Sequence, residues 1–439
     1  MAPPPLPTSP PTIFQALTPT TLLLLTLSLI ALYLIYHSVH NLYFHRLSSI
    51  PGPPHWALTD LFFGRIFLLG RSAHVLTDLH KRYGPILRIG PNTCTIIDPA
   101  VWKDVCGTNT TKHFQKTNGF NDGAPDLLWS DDVDHARLRK LVNHAFSDRA
   151  LREQEDIVKG YVDVLINKLR VKAEKSEVVN VTHWYEWTTF DIVGDLAFGE
   201  SFGCLSNGHY HPWVAMLPDV MNAAAYLICA RVLHLDKVLE YLIPKKARDA
   251  TDQFRALTKS KISKRLETKT DRPDFWSYIM RYGDEEGKSM SMPEMEANGA
   301  VLIIAGSETT ATALSGTTYA LCRDERVMRK LKEEVLSSFG SDDEINMASA
   351  GKLEYLHAVL LEGMRLYPPV PLGSYRVVPK EGAVLAGKNV PGGVSCISRS
   401  CGNVAVANES RLTFQSSNTQ LITTQTTFID PMTSCLNAG

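Results

Sequence analysis

The stretch Ala300–Thr310, which reads AVLIIAGSETT, decides the fold of this chain. Ser291 and Glu294 stand before it at the spacing of a capping box, and apolar residues continue after it to about Cys322. An apolar helix of this length predicts burial through the middle of a domain. Gly306 costs about 1 kcal/mol relative to alanine inside a helix, so the cluster of Gly, Ser, Glu and two Thr residues needs an explanation.

Two explanations fit this polar cluster. In one, the helix opens locally to make room for a small bound molecule and water. In the other, the helix is kinked and its hydroxyl groups hydrogen-bond back to the preceding turn. The six residues from Ala305 to Thr310 leave both explanations open.

A charged pair follows on the helix predicted over about Leu353 to Leu366, where Glu362 and Arg365 are three residues apart. Such a pair contributes only about 0.2–0.5 kcal/mol on an exposed helix and is common. Its context is more informative, because a Pro-rich segment and the strand-like stretch Tyr375–Pro379 come next.

A basic pair lies earlier in the chain, where His135 and Arg139 are four residues apart and share one face of a predicted helix. Arginine binds a carboxylate through two parallel hydrogen bonds, so this face suits an acidic cofactor. The alternative is a solvated basic face.

Together, the Ala305–Thr310 stretch and the Glu362/Arg365 helix resemble the oxygen-activation helix and the Glu-x-x-Arg helix of cytochrome P450 monooxygenases. The resemblance runs from Pro51 to about Val394 and is nearest to fungal microsomal members. It implies a P450 fold, mainly α with small β-sheets and incomplete at the C-terminus, behind an N-terminal transmembrane helix. It also implies haem (iron protoporphyrin IX) as the cofactor.

The resemblance assigns roles to the residues of these motifs. Thr309 would donate a hydrogen bond to dioxygen and Glu308 would relay protons towards it. Ala305 and Gly306 would form the oxygen pocket beside them. His135, Arg139 and Arg376 would bind the haem propionates. Glu362 and Arg365 would form a structural pair in the core.

The N-terminal region predicts membrane attachment. The run from Ile13 to Tyr36 is apolar and uncharged, and its roughly 20 residues suffice to cross a bilayer. A cleaved signal peptide is the alternative, although no basic region precedes the run. We expect a single-pass anchor in the endoplasmic reticulum membrane with a cytosolic catalytic body. The predicted segments are a Pro-rich leader (1–12), the transmembrane anchor (13–36), a Pro/Gly-rich hinge (37–55), a P450-like catalytic body (56–394) and a divergent polar tail (395–439).

The family pattern stops at the predicted tail. A Phe-x-x-Gly-x-Arg-x-Cys-x-Gly loop, whose Cys thiolate holds the haem iron in this family, does not occur there. The Ser/Thr/Gln/Asn-rich composition predicts disorder, and we interpret the change as a frameshift, a missed splice or a truncated gene. Cys435 and Cys401 are the only candidate iron ligands in the tail, and neither has the family loop around it.

Composition excludes several other classes of protein. The 439 residues carry a formal net charge of −1 and are 44% hydrophobic, which suits a large core and gives no reason to expect nucleic acid as a partner. Neither a phosphate-binding loop nor a nucleophile elbow occurs in the sequence. The eight cysteines form no CxxC pair, which favours reduced thiols on the cytosolic side.

Two functions are therefore expected. The first is a haem-thiolate monooxygenase that hydroxylates or epoxidises an apolar small molecule in fungal secondary metabolism. It would use O₂ and electrons from NADPH through NADPH-cytochrome P450 reductase, for which Arg137 and Lys140 offer a docking surface. The second is a catalytically inactive P450 remnant without the axial Cys. The expected substrate pocket comprises 121–129, Trp213 to Leu233, Val301, Ala305 and Val370 to Leu372, and the sequence does not identify its substrate.

Overall fold

The computed structural model describes residues 18–107, 113–116, 123–233, 235, 243–268, 270, 272–285 and 289–398. This part of the chain is mainly helical with two small sheets, as predicted. The helices are α1 (Pro19–Val39), α2 (Leu61–Leu68), α3 (Ser72–Tyr83), α4 (Pro99–Cys106), α5 (Asp132–Asn143), α6 (Asp148–Glu174), α7 (Val181–Phe198), α8 (Cys204–Asn207), α9 (Pro212–Ala215), α10 (Leu217–Val232), α11 (Lys245–Glu267), α12 (Phe275–Glu285), α13 (Met292–Arg323), α14 (Glu325–Ser338), α15 (Met347–Ala350) and α16 (Glu354–Leu366). The strands are β1 (Ile86–Arg88), β2 (Thr93–Ile96), β3 (Gln115–Lys116), β4 (Ser374–Val377), β5 (Ala383–Leu385), β6 (Lys388–Val390) and β7 (Ser395–Ser398).

The larger sheet has the strand order β1-β2-β7-β4-β3, and β5 and β6 form a separate hairpin. Strand β7 runs parallel to β2 and antiparallel to β4, and its Cys396 and Ile397 are fully buried. The predicted tail boundary before Ser395 is therefore corrected, because the folded body extends through Ser398. The rest of the predicted tail lies outside the described residues, as do the leader and 13–17 of the predicted anchor.

Helix α13 forms the middle of the helical core, as its apolar sequence predicts. Its N-terminus is closed by the capping box of Ser291 and Glu294, and it continues without a break to Arg323. Ser307 and Ala311, which lie one turn apart, are almost completely buried. The cluster at Gly306 therefore does not interrupt the helix.

Close packing between helices explains Gly306. A Cβ atom at this position would lie 2.9 Å from Cγ2 of Val193 on α7, closer than real Cβ contacts allow. The same helix approaches α11 at Gly299, where a Cβ would lie 2.5 Å from Cδ1 of Ile262. The glycines therefore set how closely α13 can pack against its neighbours.

Replacing Gly306 by alanine tests this packing. The added methyl group gains about 1 kcal/mol of helix propensity, but overpacking costs about 1–3 kcal/mol. We expect Gly306→Ala to lower the free energy of unfolding, measured by urea denaturation. Val193→Ala in the same chain should relieve the overlap. Gly160→Ala on α6 is the control, since nothing lies within 4 Å of its Cβ, and it should stabilise the chain. If Gly306→Ala raised the free energy of unfolding as much as Gly160→Ala, the packing explanation would be contradicted.

Two helices of the described residues are long and apolar enough to cross a membrane. One, Pro19–Phe44, has a mean hydropathy of 2.1 and none of its apolar window is buried. The other, Pro212–Val232, is partly buried and packs into the helical core through Trp213 and Leu217. The first is therefore the candidate anchor.

A single buried arginine joins this candidate anchor to the body. Arg88 on β1 is 3% exposed, and its guanidinium donates hydrogen bonds to the backbone carbonyls of Asn41 at 2.8 Å, Gly90 at 3.1 Å and Pro91 at 2.7 Å. Its Nη2 also lies 3.2 Å from Nδ1 of His45. The first part of the predicted hinge is thus packed against the sheet, which fixes the direction in which α1 leaves the body.

Arg88→Met should loosen this junction. It leaves three carbonyl acceptors without their donor, and hydrogen bonds to a charged group each contribute about 1.5–3 kcal/mol. We expect a lower free energy of unfolding in detergent micelles and faster proteolysis between residues 40 and 50. Arg71→Met, at an exposed position before α3, should change neither property. Equal behaviour of the two variants would show that Arg88 does not hold the junction.

Candidate active site

One face of α13 is open although the helix is central. Ala305 is exposed and Val301 and Thr309 are half-buried, and these three residues follow one another at intervals of one helical turn. Ser307 and Ala311 on the opposite side are buried. We call Val301, Ala305 and Thr309, which the described residues leave at least partly exposed, the open stripe of α13.

The hydroxyl groups at the polar cluster bond back to the helix. Thr309 donates from Oγ1 to the carbonyl of Ala305 at 2.5 Å, and Ser307 donates to the carbonyl of Ile303 at 2.5 Å. This is the hydrogen bonding of the second explanation for the cluster, without the kink. Thr309 nevertheless lies on the open stripe, so rotation of its side chain would direct the hydroxyl to a molecule bound there.

Glu308 is next to Thr309 but points to different surroundings. Its pKa is raised, first by burial and second by the negative charge of Glu186 on α7. A carboxyl group that keeps its proton at pH values where carboxyls are ordinarily ionised suits general acid catalysis. The structure therefore gives Glu308, the neighbour of Thr309 in the chain, a partly buried carboxyl with a raised pKa.

The predicted propionate ligands come together from two elements. His135 and Arg139 lie on α5, and Arg376 lies on β4, where it pairs in register with Lys116 of β3. The pKa of His135 is lowered, first by burial and then by the charges of Lys116, Arg139 and Arg376. We call these four residues the cation cradle. Sequence reasoning missed Lys116, because only the β3–β4 register brings it there.

The side chains of the cation cradle have the chemistry to bind an anion. Arg376 has a buried Nε without a hydrogen-bond partner, and its Nη1 donates a long bond of 3.4 Å to the Phe114 carbonyl. The Arg376 side chain is also hydrogen-bonded to Cys106. Within the described ranges, no carboxylate forms an ion pair with Arg139 or Arg376. Asp126 and Asp132 offset the charge of Lys116, and Asp132 that of His135, only in part. A cluster of four basic side chains favours a ligand with two carboxylates, so the residues present fit the propionate edge of a haem.

Glu362 and Arg365 form the predicted pair on α16. Arg365 donates two hydrogen bonds to the carboxylate, from Nε at 2.7 Å and from Nη2 at 2.6 Å. Between them, Gly363 allows close contact with Thr317 of α13. The pair is therefore built into the interface that supports the central helix.

The iron ligand is not assigned by the described residues. Cys401 and Cys435 both lie outside them. Burial raises the pKa of Cys396 to about 12 and that of Cys204 to about 11, and it also raises the pKa of Cys94. A thiolate ligand needs the opposite shift, so these three thiols do not fit iron ligation.

The expected substrate pocket is only partly supported by the structure. Asn298, fully buried on α13, donates to the carbonyl of Pro125 at 3.2 Å and accepts from the amide of Leu127 at 3.0 Å. This holds the described part of segment 121–129 against the central helix. Trp213 is 1% exposed and packs on Phe254, so contrary to the prediction it belongs to the core.

Arg137 is not available as a free docking residue, contrary to the prediction. It donates to Oε1 of Glu294 and, at 3.0 Å, to Oδ1 of Asp134. Because Glu294 is also the capping residue of α13, Arg137 fastens α5 to the start of the central helix.

The fold and the site define a mainly helical protein with a cluster of basic side chains and a central helix that carries an acid beside an alcohol. Comparison with known proteins identifies the family. The cytochrome P450 family model matches residues 51–402. The chain belongs to the cytochrome P450 family, whose members use haem iron, and the predicted family is confirmed.

Curated relatives from fungi share most of the chain. Cytochrome P450 monooxygenase astA of Talaromyces wortmannii is 44% identical over 367 residues, which are 81% of this chain and 72% of that protein. Averantin hydroxylase of Dothistroma septosporum is 38% identical, covering 81% of this chain and 68% of that protein. Trichothecene C-15 hydroxylase of Fusarium sporotrichioides is also 38% identical, over 82% of this chain and 74% of that protein. These relatives support a general monooxygenase role.

The cation cradle predicts how stability depends on pH. The pKa of His135 is lowered on folding, so the unfolded chain binds more protons between the folded value and about 6.5. Stability is therefore full above about pH 6.5 and falls as the pH drops towards the folded value. Arg139→Met should weaken this fall because it removes one repelling charge. Unfolding by urea at several pH values measures the slope.

Two controls make this measurement specific. His135→Gln should remove the part of this dependence that His135 contributes, which Arg139→Met only weakens. The lowered pKa values of His45 and His211 leave a remainder. His74→Gln, on the exposed side of α3, should leave the dependence as in the parent chain. An unchanged slope in His135→Gln would show that the cradle does not govern this titration.

Proposed function

We propose that this chain is a haem-thiolate monooxygenase that hydroxylates or epoxidises an apolar small molecule, in fungal secondary metabolism. The observation that carries the proposal is the position of the cation cradle and the open stripe of α13 within one P450 body. Hydroxylases among the fungal relatives support the type of reaction.

The cation cradle would hold the two propionates of the haem. Arg139 and Arg376 offer planar guanidinium groups that can form bidentate hydrogen bonds with carboxylates. Lys116 and His135 add further N–H donors. When bound, the haem supplies the oxygen-activating chemistry. The two carboxylates would offset the repulsion among these cations, and this would contribute to the affinity for the cofactor.

The residues of α13 would act on dioxygen and protons. Ala305 leaves room on the open stripe, and Thr309 would exchange its bond to the Ala305 carbonyl for one to dioxygen. Glu308 would hold a proton at its carboxyl and release it towards that space. Burial, which raises the pKa of Glu308, keeps the proton available.

We further propose a single-pass location in the endoplasmic reticulum membrane. The exposed apolar helix α1 and the junction at Arg88 support an anchor that leaves the body in a fixed direction. Electrons would come from NADPH through NADPH-cytochrome P450 reductase in the same membrane. The substrate would be an apolar small molecule reaching the stripe from the side of segment 121–129.

A second candidate is a catalytically inactive P450 remnant. The sequence observation that favours it is the lack of a Phe-x-x-Gly-x-Arg-x-Cys loop around Cys401 or Cys435. In this family the loop's thiolate pushes electron density onto the iron for O–O cleavage. A remnant would retain the cradle and lack turnover.

Haem loading separates the two candidates. We expect the full chain, expressed with haem precursor and purified in detergent, to show the absorption spectrum of thiolate-ligated haem after reduction and carbon monoxide addition. Haem content should fall in Arg376→Met and Arg139→Met. Lys140→Met on the other side of α5 is the matched control. A chain that folds and takes up no haem, or shows no thiolate spectrum, would support the remnant.

Turnover tests the roles on α13. With reductase, NADPH and a panel of apolar substrates, Glu308→Gln should lower product formation by about 10²-fold or more, within the range of a positioned proton donor. Thr309→Val should lower product formed per NADPH consumed, because the hydroxyl no longer orients dioxygen. Glu296→Gln on the same helix is the control. Wild-type turnover in both Glu308→Gln and Thr309→Val would remove the proposed roles.

A further inference from the structure

A short segment between the cation cradle and the central helix is held from both sides. It comprises residues 123–130, directly before α5, and we call it the strap. The amide of Leu127 donates a hydrogen bond to Oδ1 of Asn298 on α13 at 3.0 Å. The carbonyl of Leu127 accepts a hydrogen bond from Nζ of Lys116, a member of the cation cradle, also at 3.0 Å. One residue of the strap thus joins the cradle to the central helix.

Asn298 uses its whole side chain for this attachment. It is 0% exposed, and besides accepting from Leu127 it donates to the carbonyls of Pro125 at 3.2 Å and Glu294 at 2.8 Å. An asparagine amide offers one oxygen acceptor and two N–H donors, so both ends of the side chain are satisfied. Loss of this side chain would leave the buried strap groups unpaired, which is costly. The position of the strap on α13 is therefore specified by Asn298.

The strap is attached at the beginning of the open stripe. Asn298 precedes Val301 by three residues, so the two side chains lie on the same side of α13. Val301 is the first residue of the open stripe, and Ala305 and Thr309 follow it. The strap therefore borders the space in which a substrate would approach these residues.

Hydrogen bonds within the strap fix its shape. Oδ1 of Asp126 accepts from the amides of Leu128 at 2.7 Å and Trp129 at 2.8 Å. The side chain of Asp131, the next residue after the strap, caps α5. The turn is thus fixed internally, and the two bonds of Leu127 determine where it lies.

Lys116 can serve the strap and a cradle ligand together. An ammonium group has three N–H donors, and one of them goes to the Leu127 carbonyl. Burial and the charge of Arg376 lower the pKa of Lys116, whereas Asp126 and Asp132 raise it. Carboxylates bound at Arg376 would offset its repulsion of Lys116, so the charged donor to Leu127 would be favoured.

We propose that Asn298 and Lys116 are positioning residues for the strap, and that a ligand with two carboxylates in the cation cradle tightens the strap through Lys116. The inference rests on the proposed monooxygenase function, in which the cradle holds propionates and the strap borders the substrate. Coupling of this kind is reciprocal. A change that loosens the strap at Asn298 therefore lowers the affinity of the cradle for its ligand.

The first experiment measures how firmly the strap is held in the ligand-free full chain in detergent. Hydrogen–deuterium exchange, read by mass spectrometry with fragmentation that resolves Leu127, reports its amide bond. Asn298→Ala should speed this exchange about tenfold, the size expected for one hydrogen bond. Lys116→Met should speed it by a smaller factor, because its bond goes to the carbonyl, and Lys116→Arg should restore protection. Asn167→Ala and Lys332→Met, at exposed positions of α6 and α14, are the matched controls.

The second experiment tests coupling to the cradle with metal-free protoporphyrin IX, which carries two propionates and needs no iron ligand. Its binding, followed by porphyrin fluorescence, should slow exchange at Leu127 several-fold. The dimethyl ester, which lacks the carboxylates, should leave this exchange as in the free chain. Asn298→Ala should lower the affinity for protoporphyrin IX several-fold. A purely structural Asn298 would lower stability and leave this affinity as in the parent chain.

The third experiment uses the haem-loaded chain with reductase and NADPH. Asn298→Ala should raise KM for an apolar substrate several-fold and change kcat less, because a displaced strap weakens substrate binding. Asn298 precedes Glu308 by ten residues, which is about 15 Å along the helix, so the acid itself is left in place. A loss confined to kcat would contradict a positioning role at the substrate.

The outcomes separate this inference from the proposed function. If the haem-loaded chain does not turn over, the proposed function fails, and exchange and porphyrin binding still decide whether the strap is coupled to the cradle. Parent-like exchange at Leu127 in Lys116→Met overturns the role of Lys116, even if Asn298→Ala does not fold. A parent chain that does not bind protoporphyrin IX, or whose strap the dimethyl ester protects equally well, overturns the coupling.

Discussion

The close contact between α7 and α13 is the constraint on which the rest of the structure depends. It exists because Gly306 has no side chain where Val193 must lie. This contact turns one side of α13 into core and leaves Ala305 and Thr309 on the open stripe. Gly306 has a low helix propensity, but the close packing of the two helices requires a glycine at this position.

The second determinant is electrostatic. The cation cradle gathers Lys116, His135, Arg139 and Arg376 without an ion-paired carboxylate for either arginine among the described residues. Burial first, and then the charges of the other three, lowers the pKa of His135. Folding tolerates this because the cluster is only partly buried. Sites that bind charged cofactors commonly accept such a penalty, since the ligand offsets it. By contrast, the Arg265–Asp274 pair elsewhere in the body is buried and internally neutralised at 2.5 Å.

Much of the fold and part of the site could be predicted from the sequence. The capping box at Ser291 and the apolar run after it defined α13, because both are local patterns. The sequence also predicted that His135 and Arg139 share a face. It missed Lys116 and placed Trp213 in the pocket, because strand register and burial depend on residues far apart in the chain. The β7 strand was missed for the same reason, since Ser395–Ser398 becomes a strand only between β2 and β4.

The sequence by itself determined the family, the central helix and the acid–alcohol pair, because each is carried by residues close together in the chain. Only the tertiary structure decided that Gly306 is a packing residue, that Arg137 is a clamp and that Arg88 fixes the candidate anchor. It also decided that burial, and second the charge of Glu186, raises the pKa of Glu308. These are pairwise relations between distant segments, and a local pattern holds no information about which segment packs against it.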